Sequence, residues 1–398
     1  MLKKITRNNI SIFIIILPLI WAFSGLFILD NGSKILNALV PIAIFVRFIH
    51  LGCKGIPNNF KNNKFLWMLF LGFILCLIAH FTYGVSSNTF RVLSLVTLYL
   101  IVLPKSYIDS ISLKKLIWLL SISLLIFLSI QYTNGNLFNR AWTINPIRVG
   151  IISGFVSIIN LYYFIESKTK ENQWISFIFA FISLAPLILS LSRGAWLAYF
   201  FGLTVLFMRF LDLKKISLKK VIGIMIIVIV SGVVLKEPIE KRLVKTKMEF
   251  EQIKNNDMGS SIGLRFQMWQ AGITIIKDNW LVGVGDIGQV KVKEAMVAQG
   301  KYTQEAARFV HFHNQWINDL AKYGIIGLLF TLLIIAYPLY KIKNRHNKDI
   351  FLILICMYLV LSITDMPFER AHQFYFYLIL TYILINKNKE TNNKELEN

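Results

Sequence analysis

Apolar residues along this chain come in runs of about twenty, the length a helix needs to cross a bilayer, and polar residues are largely confined to the gaps between the runs. The runs lie near 9–29, 35–51, 65–84, 90–104, 115–132, 147–165, 174–190, 194–211, 221–236, 318–340, 350–364 and 372–386. This pattern predicts an all-α, polytopic membrane protein of about twelve transmembrane helices. One sizeable polar stretch interrupts it, residues 237–312, and a loop this long without a role of its own is unusual. Within it Ile239, Leu243, Val244, Met248 and Ile253 fall roughly on one helical stripe. A second helical pattern runs from Leu264 to Ile276 and stops at the turn-forming residues that follow. The chain therefore divides into residues 1–236 (helices 1–9), 237–312 (a large extracytoplasmic, helical cap), 313–386 (helices 10–12) and 387–398 (a disordered cytoplasmic tail).

Charge sharpens this into a topology. Lys and Arg total 43 against 21 Asp and Glu, a net charge of +22, and a nucleic-acid partner is one way to use such an excess. Here the basic residues sit mainly in short loops on alternate sides of the spans, which the positive-inside rule explains without nucleic acid, and both termini are predicted cytoplasmic. The first run is too long for a signal peptide's apolar region and lacks a small-residue cleavage site, so it reads as a retained helix. Cys53, Cys76 and Cys356 have neither metal-ligand nor disulfide spacing and read as small packing residues.

Three arginines break the rule, because Arg148, Arg193 and Arg265 fall on the outer side, where topology does not put them. Arg193 sits at a tight Ser/Gly turn between two apolar runs, beside Ser190 and Ser192, and its planar fork suits phosphate oxygens. The alternative is an arginine that snorkels to the headgroups or pairs with Asp365 or Glu369. Arg265 opens a helix after a Gly/Ser turn, where backbone N–H groups favour anions, and could equally be a solvated loop arginine. Arg148 stands at a helix start, where a basic residue is often an interfacial anchor.

His311 and His313 lie where the polar stretch runs into the next apolar helix. A lone histidine is more often structural than catalytic. Here the field of the nearby arginines would hold an imidazole neutral at pH 7, as a general base must be. On a helix, residues two apart project differently, so only one of the pair would face a given site. Asp286, Asp319 and Asp365 are the available carboxylates, and with the histidines they form no metal-type cluster.

These residues resemble the WaaL-type O-antigen ligases and, more broadly, the O-antigen ligase/polymerase superfamily. His313-Asn314, nine residues, Gly324, two residues and Gly327 is similar to the ligase pattern. The stretch from Ser190 to Trp196, the run from Arg265 to Gly272, and Gly283 with Gly285 resemble the superfamily's other shared segments. The resemblance implies that His313 is the essential histidine and that Arg193 and Arg265 contact the pyrophosphate of a lipid-linked donor. Arg148, His311, Asn314 and Asp365 remain weaker candidates.

It also implies a glycosyltransferase of lipopolysaccharide biosynthesis, inverting and independent of metal or other cofactors. The donor would be O-antigen glycan on undecaprenyl pyrophosphate, the acceptor the lipid A core oligosaccharide, and the setting a bacterial inner membrane, with membrane lipids around the protein and the site facing the periplasm. An O-antigen polymerase is the nearest alternative. A flippase for polysaccharide or lipid carrier is the alternative from another class, and it leaves the His-Asn segment and the cap without a task.

Overall fold

The computed structural model describes residues 7–84, 87–210 and 218–387, and among them it contains helices and turns but no strand. The first part runs α1 (Arg7–Ala22), α2 (Gly32–Leu51), α3 (Ile56–Asn62), α4 (Lys64–Tyr83), α5 (Ser87–Val102), α6 (Lys105–Ser110), α7 (Leu113–Thr133), α8 (Pro146–Glu166), α9 (Lys170–Leu189) and α10 (Arg193–Phe210). It continues with α11 (Leu218–Lys254), α12 (Ser261–Asn279), α13 (Gly285–Ala298), α14 (Gln304–Ala307), α15 (Gln315–Lys341), α16 (Arg345–Ser362) and α17 (Ala371–Asn386). The tail expected to be disordered, beyond Lys387, lies outside the described residues, as do Lys3, Lys4 and the start of the basic loop before α11.

Every expected span falls on a helix, yet seven stretches among the described residues are long and apolar enough to cross a membrane by length and composition. They are Asn9–Phe27, Gly32–Leu51, Lys64–Tyr83, Leu113–Thr133, Pro146–Glu166, Lys170–Leu189 and Gln315–Lys341. Of the five others, three have a plain physical cause. α5 and α17 have only 16 residues each, and α16 opens on Arg345, Lys348 and Asp349. α17 is short and apolar on all faces because it is central, with Phe374, Tyr375, Phe376 and Tyr377 all at most 1% exposed. α8 lies beside it, 94% buried.

Small and hydroxylated residues let α8 approach its neighbours. Ser157 Oγ donates to Ala180 O of α9 at 2.9 Å, Ser153 Oγ donates to Ser183 O, and Asn160 Nδ2 donates to Ser121 Oγ of α7 at 3.0 Å. A Cβ at Gly150 would lie 2.7 Å from Ser190 Oγ and 3.3 Å from Ala195 Cβ. The first turn of α8, with Arg148, is thereby pressed against the α9–α10 turn that carries Arg193. Of the cysteines, Cys76 is buried as a packing residue would be, whereas Cys53 is exposed in the turn after α2.

The stretch expected as a cap is helical, though no break in the helix marks the boundary at 236/237. α11 runs 37 residues through it, because the charged stripe continues the helical period of the apolar run. α12 and α13 pack around a cluster of their own that includes Met268, Ala271, Ile275, Met296 and Phe312 and reaches Ala321 of α15.

α15 is broken at Gly324, where φ is +65° and ψ −162°, a region open essentially to glycine. The break frees backbone groups that the cap then uses: Ile325 N donates to Trp280 O at 2.8 Å and Val284 N donates to Ala321 O at 2.9 Å. Gly283, also at positive φ, completes the seam, since a Cβ there would lie 2.4 Å from Lys322 C, and one at Gly324 would lie 2.3 Å from Leu281 O. Gly324→Ala is expected to lose roughly 1–3 kcal/mol from backbone conformation alone, before the clash with backbone is counted. Thermal unfolding of the purified protein in detergent measures it, and an unchanged midpoint would contradict the seam.

Candidate active site

His313 stands just before α15 with φ +48°, in the left-handed region that non-glycine residues avoid. Such strain persists only where the surroundings impose it. From ahead, Asn314 caps α15, its Oδ1 accepting from Trp316 N at 3.0 Å and Ile317 N at 3.1 Å, while its Nδ2 donates to Ile363 O at 3.2 Å. From behind, α13 holds the loop. Lys293 Nζ donates to Phe309 O and to Gln289 Oε1, both at 2.8 Å, and Gln289 Nε2 donates to Val310 O. Lys293 is 1% exposed and lies 4.3 Å from the centre of the Phe312 ring. Burial, then the charge of Lys322, pushes its ammonium down to about 7 against the opposing pull of Asp286.

The two histidines are neighbours, contrary to the expectation that only one faces the site. Their ring centroids are 4.6 Å apart, because residues 311–313 are not helical and the positive φ at His313 turns its ring back toward His311. Their roles nonetheless differ. Arg370 Nη2 lies 2.7 Å from His311 Nε2, and a guanidinium can only donate, so that nitrogen accepts and the His311 proton sits on Nδ1. Burial, then the charge of Arg370, pushes His311 far below its ordinary range. His313 Nδ1 stands 3.8 Å from Asp365 Oδ1, and neither atom has a hydrogen bond among the described residues. Burial pushes His313 down to about 4 although Asp365 opposes the shift, with Arg265 and Arg370 adding to the fall. The shift favours the neutral imidazole, the form a general base needs. A small closure would make a hydrogen bond through Nδ1 and leave the Nε2 lone pair free.

Arg193 and Arg265 meet in a pocket of about 150 Å³ that Arg140 and Asp365 also line. Their states differ. Arg193 is committed, its Nη1 donating to Thr246 Oγ1 at 2.6 Å and its Nη2 to Glu249 Oε2 at 3.1 Å, so its partner is on α11 and is neither Asp365 nor Glu369. Arg265 makes no hydrogen bond or close ion pair with any described residue. Burial, first of all, lowers its pKa. The turn before it is partly satisfied already, since Ser260 Oγ accepts from Gly263 N at 3.1 Å. Arg193→Lys is expected to slow turnover less than loss of Arg265 does, because a lysine can still meet Glu249 at one point; a larger loss at Arg193 in the same assay would reverse that ranking.

Arg148 is not part of this pocket. It lines a second one, of about 470 Å³, together with His311, Arg370 and His372. In its lining Lys322 Nζ is bound by Asp286 at 2.7 Å and Glu369 at 2.8 Å, and Asn318 Nδ2 donates to Glu369. Asp319 instead accepts from Gln315 Nε2 at 2.7 Å. Arg140 and Arg370 were within reach of the sequence, since both lie in loops expected on the outer side and break the positive-inside rule just as Arg148 does. Among the described residues no group of three or more His, Cys, Asp or Glu could hold a metal ion.

Residues 178–332 match the O-antigen ligase family. That stretch runs from α9 past the break in α15 and contains Arg193, Arg265, both histidines, Asn314, Gly324 and Gly327, which bears out the resemblance read from those residues. Arg148, Asp365 and Arg370 fall outside it. The chain is also 28% identical over 233 residues to an uncharacterized protein of Haemophilus influenzae (strain ATCC 51907 / DSM 11121 / KW20 / Rd), and the match covers 56% of each chain.

Proposed function

We propose that this protein is an O-antigen ligase, moving a glycan from undecaprenyl pyrophosphate to a hydroxyl of the lipid A core oligosaccharide at the periplasmic face of a bacterial inner membrane, with both termini in the cytoplasm. The observation that carries the reading is His313, strained and 3.8 Å from Asp365, with Asp365 lining the same pocket as Arg265, whose guanidinium has no hydrogen bond among the described residues.

In this mechanism the acceptor oxygen attacks the anomeric carbon as its proton passes to His313 Nε2. The bond from that carbon to the pyrophosphate oxygen breaks, the configuration inverts, and undecaprenyl pyrophosphate leaves. Asp365 orients the imidazole and stabilises the imidazolium that forms. Arg265, with Arg193 behind it, offsets charge growing on the leaving group, which fixed cations do best in a site shielded from water.

Deletion of the gene followed by a gel of the lipopolysaccharide tests the reading. A ligase mutant loses all capped lipopolysaccharide while polymerised glycan stays on its carrier. A single repeat unit left on the core would mean a polymerase instead.

A further inference from the structure

We propose that the pocket of about 470 Å³ beside Arg148 holds the saccharide end of the acceptor, whose hydroxyl is glycosylated, on the opposite side of the histidine pair from the leaving pyrophosphate. This inference rests on the reading above.

Charge separates the two pockets. The small one gathers Arg140, Arg193 and Arg265 around Asp365, and with Glu249 paired to Arg193 the cations still outnumber the carboxylates, which suits a pyrophosphate. In the large one Asp286 and Glu369 neutralise Lys322, and Asp30 stands near Arg148. That leaves a balanced set of donors and acceptors, which suits a polyhydroxylated sugar. Its volume is within the range of ligand sites, about 300–1,000 Å³, and the small pocket's is not.

Two side chains lining the large pocket are unspent. His372 is 5% exposed with neither ring nitrogen hydrogen-bonded, and Arg148 has no hydrogen bond or ion pair among the described residues. Arg148 is half-buried, but a buried imidazole such as that of His372 ordinarily has a partner.

His313 lines neither pocket but stands between residues that do, its ring 4.6 Å from that of His311 in the large one and its Nδ1 3.8 Å from Asp365 in the small one. Arg370 Nη2 meets His311 on the large-pocket side, and Arg370 Nε lies 3.8 Å from Asp365, which lines the small pocket. Inversion requires nucleophile and leaving group on opposite faces of the anomeric carbon. Two pockets flanking one pair of histidines provide that geometry.

Steady-state kinetics on the full-length protein in detergent tests this, with undecaprenyl-pyrophosphate-linked glycan as donor and rough lipopolysaccharide, lipid A and core without O-chain, as acceptor. Arg148→Gln should raise the KM for rough lipopolysaccharide roughly tenfold and leave the donor KM within about twofold, while Arg265→Gln should do the reverse. Asp30→Asn, at an exposed position that folding tolerates, should raise the acceptor KM alone. Binding of rough lipopolysaccharide to the His313→Ala protein should weaken equally when Arg148→Gln is added. A rise in donor KM with Arg148→Gln, or no change in acceptor KM and binding, overturns the assignment. If rough lipopolysaccharide binds through Arg148 but nothing is transferred from this donor, the functional reading fails and the pocket stands. If it does not bind the wild type, the pocket assignment fails whatever else the protein transfers.

Discussion

His313→Ala is expected to cut glycan transfer roughly 10²- to 10⁴-fold, the range that general-base catalysis typically supplies, with the protein still folded in the membrane. Rates on reconstituted protein check the loss, and a fully active variant would remove His313 from the mechanism. The pH profile supplies a second test. A base works unprotonated, so the rate rises with pH through its pKa. With His313 held down to about 4 rather than 6.5, kcat/KM should already be on its plateau well below neutral pH. Once a pyrophosphate is bound its charge favours the imidazolium, so the acid limb of kcat should lie at higher pH than that of kcat/KM. Asp365→Asn removes the opposing carboxylate and should move the kcat/KM limb down further.

Removal of the Arg265 side chain as Arg265→Ala is the second large effect, a loss of roughly 10²- to 10³-fold, as for other groups that stabilise developing negative charge. Arg265→Lys keeps the charge without the fork and should recover only part of it. What marks Arg265 as functional is the other half of the expectation. Burial disfavours its charge, Asp365 and Glu249 oppose that only at longer range, and no described residue hydrogen-bonds it, so the substitution should leave the thermal midpoint unchanged or raise it. A lowered midpoint would point to a structural arginine. Arg193 should behave oppositely, because its loss takes from Glu249, 3% exposed, the cation that hydrogen-bonds it.

The positions of the apolar helices were legible, though not how many of them are long enough to cross a membrane, because each is a property of one apolar run, read without knowing its neighbours. What escaped depends on contacts between distant residues. The Arg193 to Glu249 pair joins side chains 56 positions apart, and Arg370 reaches His311 across 59. The two histidines were misjudged because helical geometry was extended back over residues 311–313, where the chain instead takes a left-handed turn ahead of the Asn314 cap. Gly324 and Gly327 were legible as a motif and opaque as physics. A glycine inside an apolar run does not say that the helix breaks there, still less that a turn from the cap occupies the break. Arg140 and Arg370 met the same sidedness criterion that picked out Arg148.

The seam between the cap and α15 also bears on traffic. Lifting the cap along that edge would unmake the Trp280 to Ile325 and Ala321 to Val284 hydrogen bonds, at roughly 1–3 kcal/mol for each group left unpaired away from water. The turn after α12 is thereby fixed against the break in α15. On the proposed reading that edge is a closed wall, and substrates tethered to lipids would have to enter along the others, by a search within the membrane plane.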